Sequence, residues 1–150
     1  MSWDAIFGAV NLIAMLCWVV LIILPRKPFV LASLLYLGVG LMCFVYAAGL
    51  IGIVTGVVDP VGGEVQGNFS SIEGVRAIFA SDGGITVGWT HYLAFDLFVG
   101  IWIARDADAK EFSRIVQAPI LLATFIAGPL GLFLWLLVRE RRARALGRWT

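Results

Sequence analysis

Four apolar stretches, over about residues 3–24, 29–58, 85–104 and 115–138, each come close to or exceed the roughly 20 residues an α-helix needs to cross a bilayer. A chain of 150 residues has too small an interior to cover four such segments on every side in water. Composition agrees, with 61% of residues hydrophobic and 14% charged against about 45–50% and about 25% in soluble domains. The same balance excludes disorder. A formal net charge of +1 gives no overall basic field, so no nucleic-acid partner is expected. The bilayer itself is the first partner.

Clear boundary signals flank the stretches. Pro25-Arg26-Lys27-Pro28 stops the first, Arg105-Asp106 the third and the cluster Arg139 to Arg148 the fourth, because proline cannot continue a helix and cations suit an interface. The second is long for one crossing and is expected to tilt or unwind near Gly52 to Gly56. Short links within each pair predict antiparallel hairpins. The fold class expected is therefore all-α, an integral membrane four-helix bundle forming one transmembrane domain over residues 1–150. Cys17 and Cys43 lie inside apolar runs without C-x-x-C spacing and read as packing residues. The first run lacks a basic start and a small-residue cleavage site, so it reads as a retained span.

The segment from Asp59 to Gly84 is too long for a passive turn. Ser70 and Glu73 offer a capping box, with Ile72, Val75, Ile78 and Phe79 following on one face, which predicts a helix over about 71–80. It would lie on the membrane surface or fold over the bundle mouth. Four spans would put both termini and this segment on one side. The cations then divide almost evenly between the two sides, and the arginine-rich C-terminal stretch tips the termini weakly toward the cytoplasm. That cluster reads equally well as an anchor for lipid phosphates.

Polar groups inside the spans are where chemistry is expected, because an ionised side chain in hydrocarbon is costly. Asp96 lies near the middle of the third run, with Trp89 and Tyr92 on its stripe and Tyr92 a direct neighbour at i and i+4. His91, the single histidine, falls five residues before Asp96, about 140° around the helix. The two can border one wide cavity without sharing a line. One acid and one base suffice for proton-transfer chemistry, which makes His91 and Asp96 the catalytic candidates. The competing reading is that Asp96 is held by a tyrosine hydroxyl, an amide or a cation and only fixes packing.

Substrate-binding candidates are Asn11, Glu73, Arg76, Trp89 and Tyr92. Asn11 is more commonly interhelical glue, and Glu73 and Arg76 either pair on a solvated face or close over a ligand. Gly128-Pro129 interrupts the fourth run, as a kink or as a source of free carbonyls. No zinc signature, phosphate loop, nucleophile elbow or haem motif occurs in the sequence, so neither a metal nor a cofactor is expected.

The run Gly88-Trp89-Thr90-His91-Tyr92-Leu93-Ala94-Phe95-Asp96-Leu97-Phe98-Val99-Gly100-Ile101-Trp102, with Arg105-Asp106-Ala107, Pro119 and Gly128-Pro129-Leu130-Gly131, resembles the abscisic-acid-deficient 4 family of small membrane proteins. Phe69 to Arg76 and the Asn11 position are similar to its bacterial members. Plant members are required to make neoxanthin from violaxanthin. The resemblance implies a membrane enzyme, or enzyme component, acting on a carotenoid or similar isoprenoid lipid. Converting a 5,6-epoxide into an allenic alcohol is an isomerisation, with an acid at the epoxide oxygen and a base at a vinylic proton, and needs no redox cofactor. No plastid transit sequence is visible, so a bacterial inner-membrane member is expected.

The leading expectation is a neoxanthin-synthase-like isomerase using His91 and Asp96, with homo-oligomerisation left open. A non-catalytic carotenoid- or lipid-binding assembly partner is the second, and a small proton-coupled transporter the third.

Overall fold

A computed structural model of the chain describes residues 2–62 and 67–146. Helix α1 (Trp3–Ile23) is opened by Ser2, whose hydroxyl accepts the Ala5 N–H at 3.4 Å. Helix α2 (Pro28–Ser33) starts on a proline, where the missing N–H costs nothing. It runs without a break through a π-helical turn at Leu34–Gly40 into α3 (Leu41–Val54), giving one rod, Pro28–Val54. The expected unwinding near Gly52 to Gly56 is present: the rod stops at Val54, and Gly56 turns the chain with φ of +71°, a conformation that favours glycine.

The loop helix α4 (Ile72–Ile78) is shorter than expected and its cap differs. Ser71, not Ser70, accepts the Gly74 N–H at 3.0 Å, while Ser70 is tied to Asn68 Oδ1 through both its N–H and its hydroxyl. Helix α5 (Asp82–Ala109) begins three residues before the apolar run, because Ser81 accepts the Gly84 N–H at 3.1 Å. It is 28 residues long, about 42 Å at 1.5 Å per residue, and the other helices pack around it. Trp18 of α1 lies against Gly100, and Gly38 of the π turn faces Leu97. Leu21, Met42, Leu97 and Ile103 are fully buried in this core.

The largest departure concerns the fourth run. The single span expected over 115–138 is two helices, α6 (Arg114–Ile126) and α7 (Gly128–Leu146), broken at Ala127 with φ of −153° and ψ of 89°. Pro129 explains the break, since it has no N–H for the carbonyl one turn back and its ring clashes there. After a turn through Glu111 (φ 57°), α6 climbs along α5 from Gln117, bonded to Asp108, to Ile126, bonded to Tyr92. Helix α7 then retraces that path, from Gly128 beside Asp96 to Trp135 and Arg139 beside Asp106. At 13 residues, α6 is only about 20 Å long. Thus, in place of two full-length hairpins, the described residues form three long helices and one short helical hairpin.

Ion pairs pin the hairpin where α5 ends. Asp106 accepts from Arg139 at 2.6 and 3.0 Å, from the Trp135 indole at 2.9 Å, and faces Lys110 Nζ at 3.0 Å. Arg142 donates to the Lys110 and Glu111 carbonyls and lies over the Phe112 ring. Nearby, Arg26 bridges the Ala104 carbonyl, Asp108 and Gln117. Burial lowers the Arg26 pKa, with Asp108 pulling the other way.

Helices α1, the Pro28–Val54 rod and α5 are long and apolar enough to cross a membrane. Their outward faces carry exposed Leu12, Leu16, Leu37 and Phe44, an apolar girdle that would be unusual facing water.

Candidate functional site

Two distinct groupings hold the residues that the sequence singled out. The first is a polar column on one stripe of α5. Asn11 donates to the Phe7 carbonyl at 2.7 Å and accepts the Trp89 indole N–H at 3.0 Å. Trp89 stacks on Tyr92 with ring centroids 5.1 Å apart, and the Tyr92 hydroxyl donates to the Ile126 carbonyl at 2.9 Å while lying beside Asp96. Asp96, buried, accepts the Gly128 N–H at 3.2 Å.

The column ends on the broken helix. A break leaves unpaired carbonyls at the end of one helix and unpaired N–H groups at the start of the next. Tyr92 satisfies a carbonyl of α6, Asp96 satisfies the first amide of α7, and Pro129 removes a further donor. Glycine at position 128 lets the Asp96 carboxyl group approach this closely, since a Cβ there would overlap it and force that side chain to move. Among the described residues no cation forms an ion pair with Asp96.

The second grouping is a cavity of about 460 Å³ bounded by α3, α4 and α5, within the usual size range of small-ligand pockets, about 300–1,000 Å³. Its walls are mainly apolar: Leu50, Ile53, Ala77, Phe79, Val87 and Gly88, with Tyr46, Ser81 and His91 as the polar contributors. Phe79 can roof it because Gly88 presents no side chain where the ring lies. His91 sits between Tyr46, at 5.3 Å between ring centroids, and Phe95, at 4.6 Å. It makes no hydrogen bond among the described residues, so both ring nitrogens are available to a ligand.

The structure therefore joins Asn11, Trp89, Tyr92 and Asp96 and sets His91 apart on another flank of α5. Glu73 and Arg76 belong to neither group. Both are exposed on α4 with no ion pair between them among the described residues, and Arg76 borders a shallow surface depression with Phe69 and Ile72. Sequence reasoning missed Tyr46 and used Phe79 only as part of an amphipathic face. Tyr46 carried a signal, being a tyrosine deep within the second apolar run. Among the described residues no three His, Cys, Asp or Glu side chains gather into a cluster that could hold a metal ion.

An all-helical chain with three membrane-length helices, a broken-helix hairpin and an apolar cavity edged by one histidine defines the class. The chain belongs to the ABA DEFICIENT 4-like family, whose model matches residues 5–135. That match ends at Trp135, before the arginine cluster. Searches of curated proteins and of solved structures returned no match.

Proposed function

We propose that the protein is a membrane-embedded isomerase acting on a carotenoid or similar isoprenoid lipid, with the cavity receiving one end of the molecule and His91 moving the proton. Family membership supports the substrate class, and three helices of membrane length support the location. The observation that carries the site is His91: the one histidine of the chain borders an apolar cavity and makes no hydrogen bond among the described residues.

For an epoxide-to-allene conversion the reaction balances without a redox partner. A base removes the vinylic proton, the C–H electron pair becomes the new double bond, the epoxide C–O bond breaks and the oxygen takes a proton. His91 serves as the base, and the Tyr46 hydroxyl, which lines the same cavity, protonates the oxygen. Asp96 is then a positioning residue, holding the α6–α7 break and, through Tyr92 and Trp89, the stripe of α5 beside His91.

The test is expression of wild type, His91→Ala and Tyr46→Phe in a host that makes epoxy-carotenoids, with pigments separated chromatographically. Wild type is expected to yield an isomer of unchanged mass, His91→Ala none at equal protein level, and Tyr46→Phe a reduced amount. No new pigment with wild type, across several epoxy-carotenoids, overturns the proposal. A second reading, a non-catalytic lipid-binding partner, is favoured by the hydrogen bonds of Asp96 being accounted for by the helix break alone. Pigment that copurifies without turnover, with His91→Ala tolerated, selects it.

A further inference from the structure

The α6–α7 hairpin changes how charge is distributed across the molecule. Because α7 retraces α6, the arginines of α7 arrive at the end of the bundle that also carries the α1–α2 link and the C-terminus of α5. Every described lysine and arginine except Arg76 belongs to that end. The opposite end carries Asp4, Asp59, Glu73 and Asp82. Had residues 115–138 crossed as one helix, the arginines of α7 would lie with these acids and the cations would nearly balance.

The cations at the basic end divide by role. Arg26, Lys110 and Arg139 have nearly buried side chains and are paired with Asp106 or Asp108. Lys27, Arg105, Arg114 and Arg142 are exposed and form no ion pair among the described residues. Arg114 and Arg142 are nonetheless held in place by backbone carbonyls, of Leu24 and of Lys110 and Glu111. Positioned, exposed cations bordering an apolar girdle match the phosphates of an anionic leaflet, and cations collect on the cytoplasmic side of membrane proteins.

We propose that the basic end is a binding face for anionic phospholipid headgroups of the cytoplasmic leaflet, with three crossings and a hairpin that enters and leaves by that face. The N-terminus, α4 and the segment following α3 then lie on the far side. The inference rests on the membrane placement of the three long helices and on no catalytic activity, so it can fail or stand independently of the isomerase reading.

Two experiments test it on the full chain. In the first, Val57→Cys and Arg144→Cys, both at exposed positions, are made separately with Cys17 and Cys43 replaced by alanine. Each is treated with a membrane-impermeant maleimide in right-side-out and in inverted vesicles. Val57→Cys should label only from the outside and Arg144→Cys only in inverted vesicles. Labelling of both from one side overturns the hairpin topology, and the reverse pattern overturns the cytoplasmic assignment. In the second, thermal stability is compared in vesicles of phosphatidylcholine alone and with phosphatidylglycerol added. Wild type should gain several degrees in Tm from the anionic lipid, and a variant with Lys27, Arg105, Arg114 and Arg142 changed to glutamine should lose most of that gain. Equal Tm in both vesicles, an undiminished gain in the variant, or the same gain from inorganic phosphate overturns the headgroup site.

Discussion

Asp96 and Asp106 stand on one face-to-face seam between α5 and α7, yet they do opposite work. Asp106 is surrounded by Lys110, Arg139 and the Trp135 indole, so it acts as an ionic rivet between the end of α5 and the end of the hairpin. Asp96 meets a backbone amide and a tyrosine hydroxyl and no cation among the described residues. It serves the backbone, filling the gap that a broken helix leaves. The residue type is the same and the helix is the same. What differs is depth along the bundle: long basic side chains reach the end of α5, whereas its middle offers only what the α6–α7 turn exposes.

Substitutions can break this comparison, and the largest effect is expected at the rivet. Asp106→Ala removes the carboxylate that Lys110 and Arg139, both nearly buried, share, and should cost about 3–5 kcal/mol, read as unfolding in detergent by circular dichroism. A loss near zero would mean that the pairs hold nothing. At the break, Gly128→Val pushes a branched side chain into the Asp96 carboxyl group and should cost about 1–3 kcal/mol. Asp96→Ala leaves the Gly128 amide without its acceptor, for about 1–3 kcal/mol, while Asp96→Asn keeps an acceptor and should cost less than about 1 kcal/mol in the same melts. If Asp96→Asn proves as damaging as Asp106→Ala, Asp96 is an ionic residue after all and the contrast collapses.

Smaller effects sharpen the division between scaffold and site. Among the described residues His91 is held by ring contacts with Tyr46 and Phe95, so His91→Ala should change stability by about 1 kcal/mol or less while abolishing pigment conversion. A large stability loss would move His91 to the scaffold. Arg144→Ala removes an exposed pair with Glu140 and should shift stability by about half a kcal/mol or less; anything larger gives the end of α7 a part in the rivet.

Much of this fold was legible residue by residue. Apolar run length gave α1 and the long rod, the Gly52 to Gly56 stretch marked the rod's end, and the Ser70–Glu73 pattern placed the loop helix although Ser71 supplies its cap. The stripe Trp89, Tyr92, Asp96 followed from helical spacing because it depends on one helix only. The interruption at Gly128-Pro129 was visible too, but it read as a kink or a source of free carbonyls within one span, and the full reversal was not foreseen. Local backbone chemistry says where a helix must stop and says nothing about where the chain then goes.

The rest depended on neighbours distant in the chain. Whether His91 and Asp96 meet is set by which flanks of α5 are covered by α3, α4 and the hairpin. Tyr46 became a site residue only because α3 lies beside His91. The sequence by itself determined that this chain is helical, apolar over membrane-length runs and sparing with its polar residues, since those properties follow from composition and periodicity. Only the tertiary structure decided that the fourth run doubles back, that Asp96 caps it and that the cations gather at one end. Those outcomes turn on which distant groups can satisfy a broken backbone and a buried charge, and no local pattern encodes that partnership.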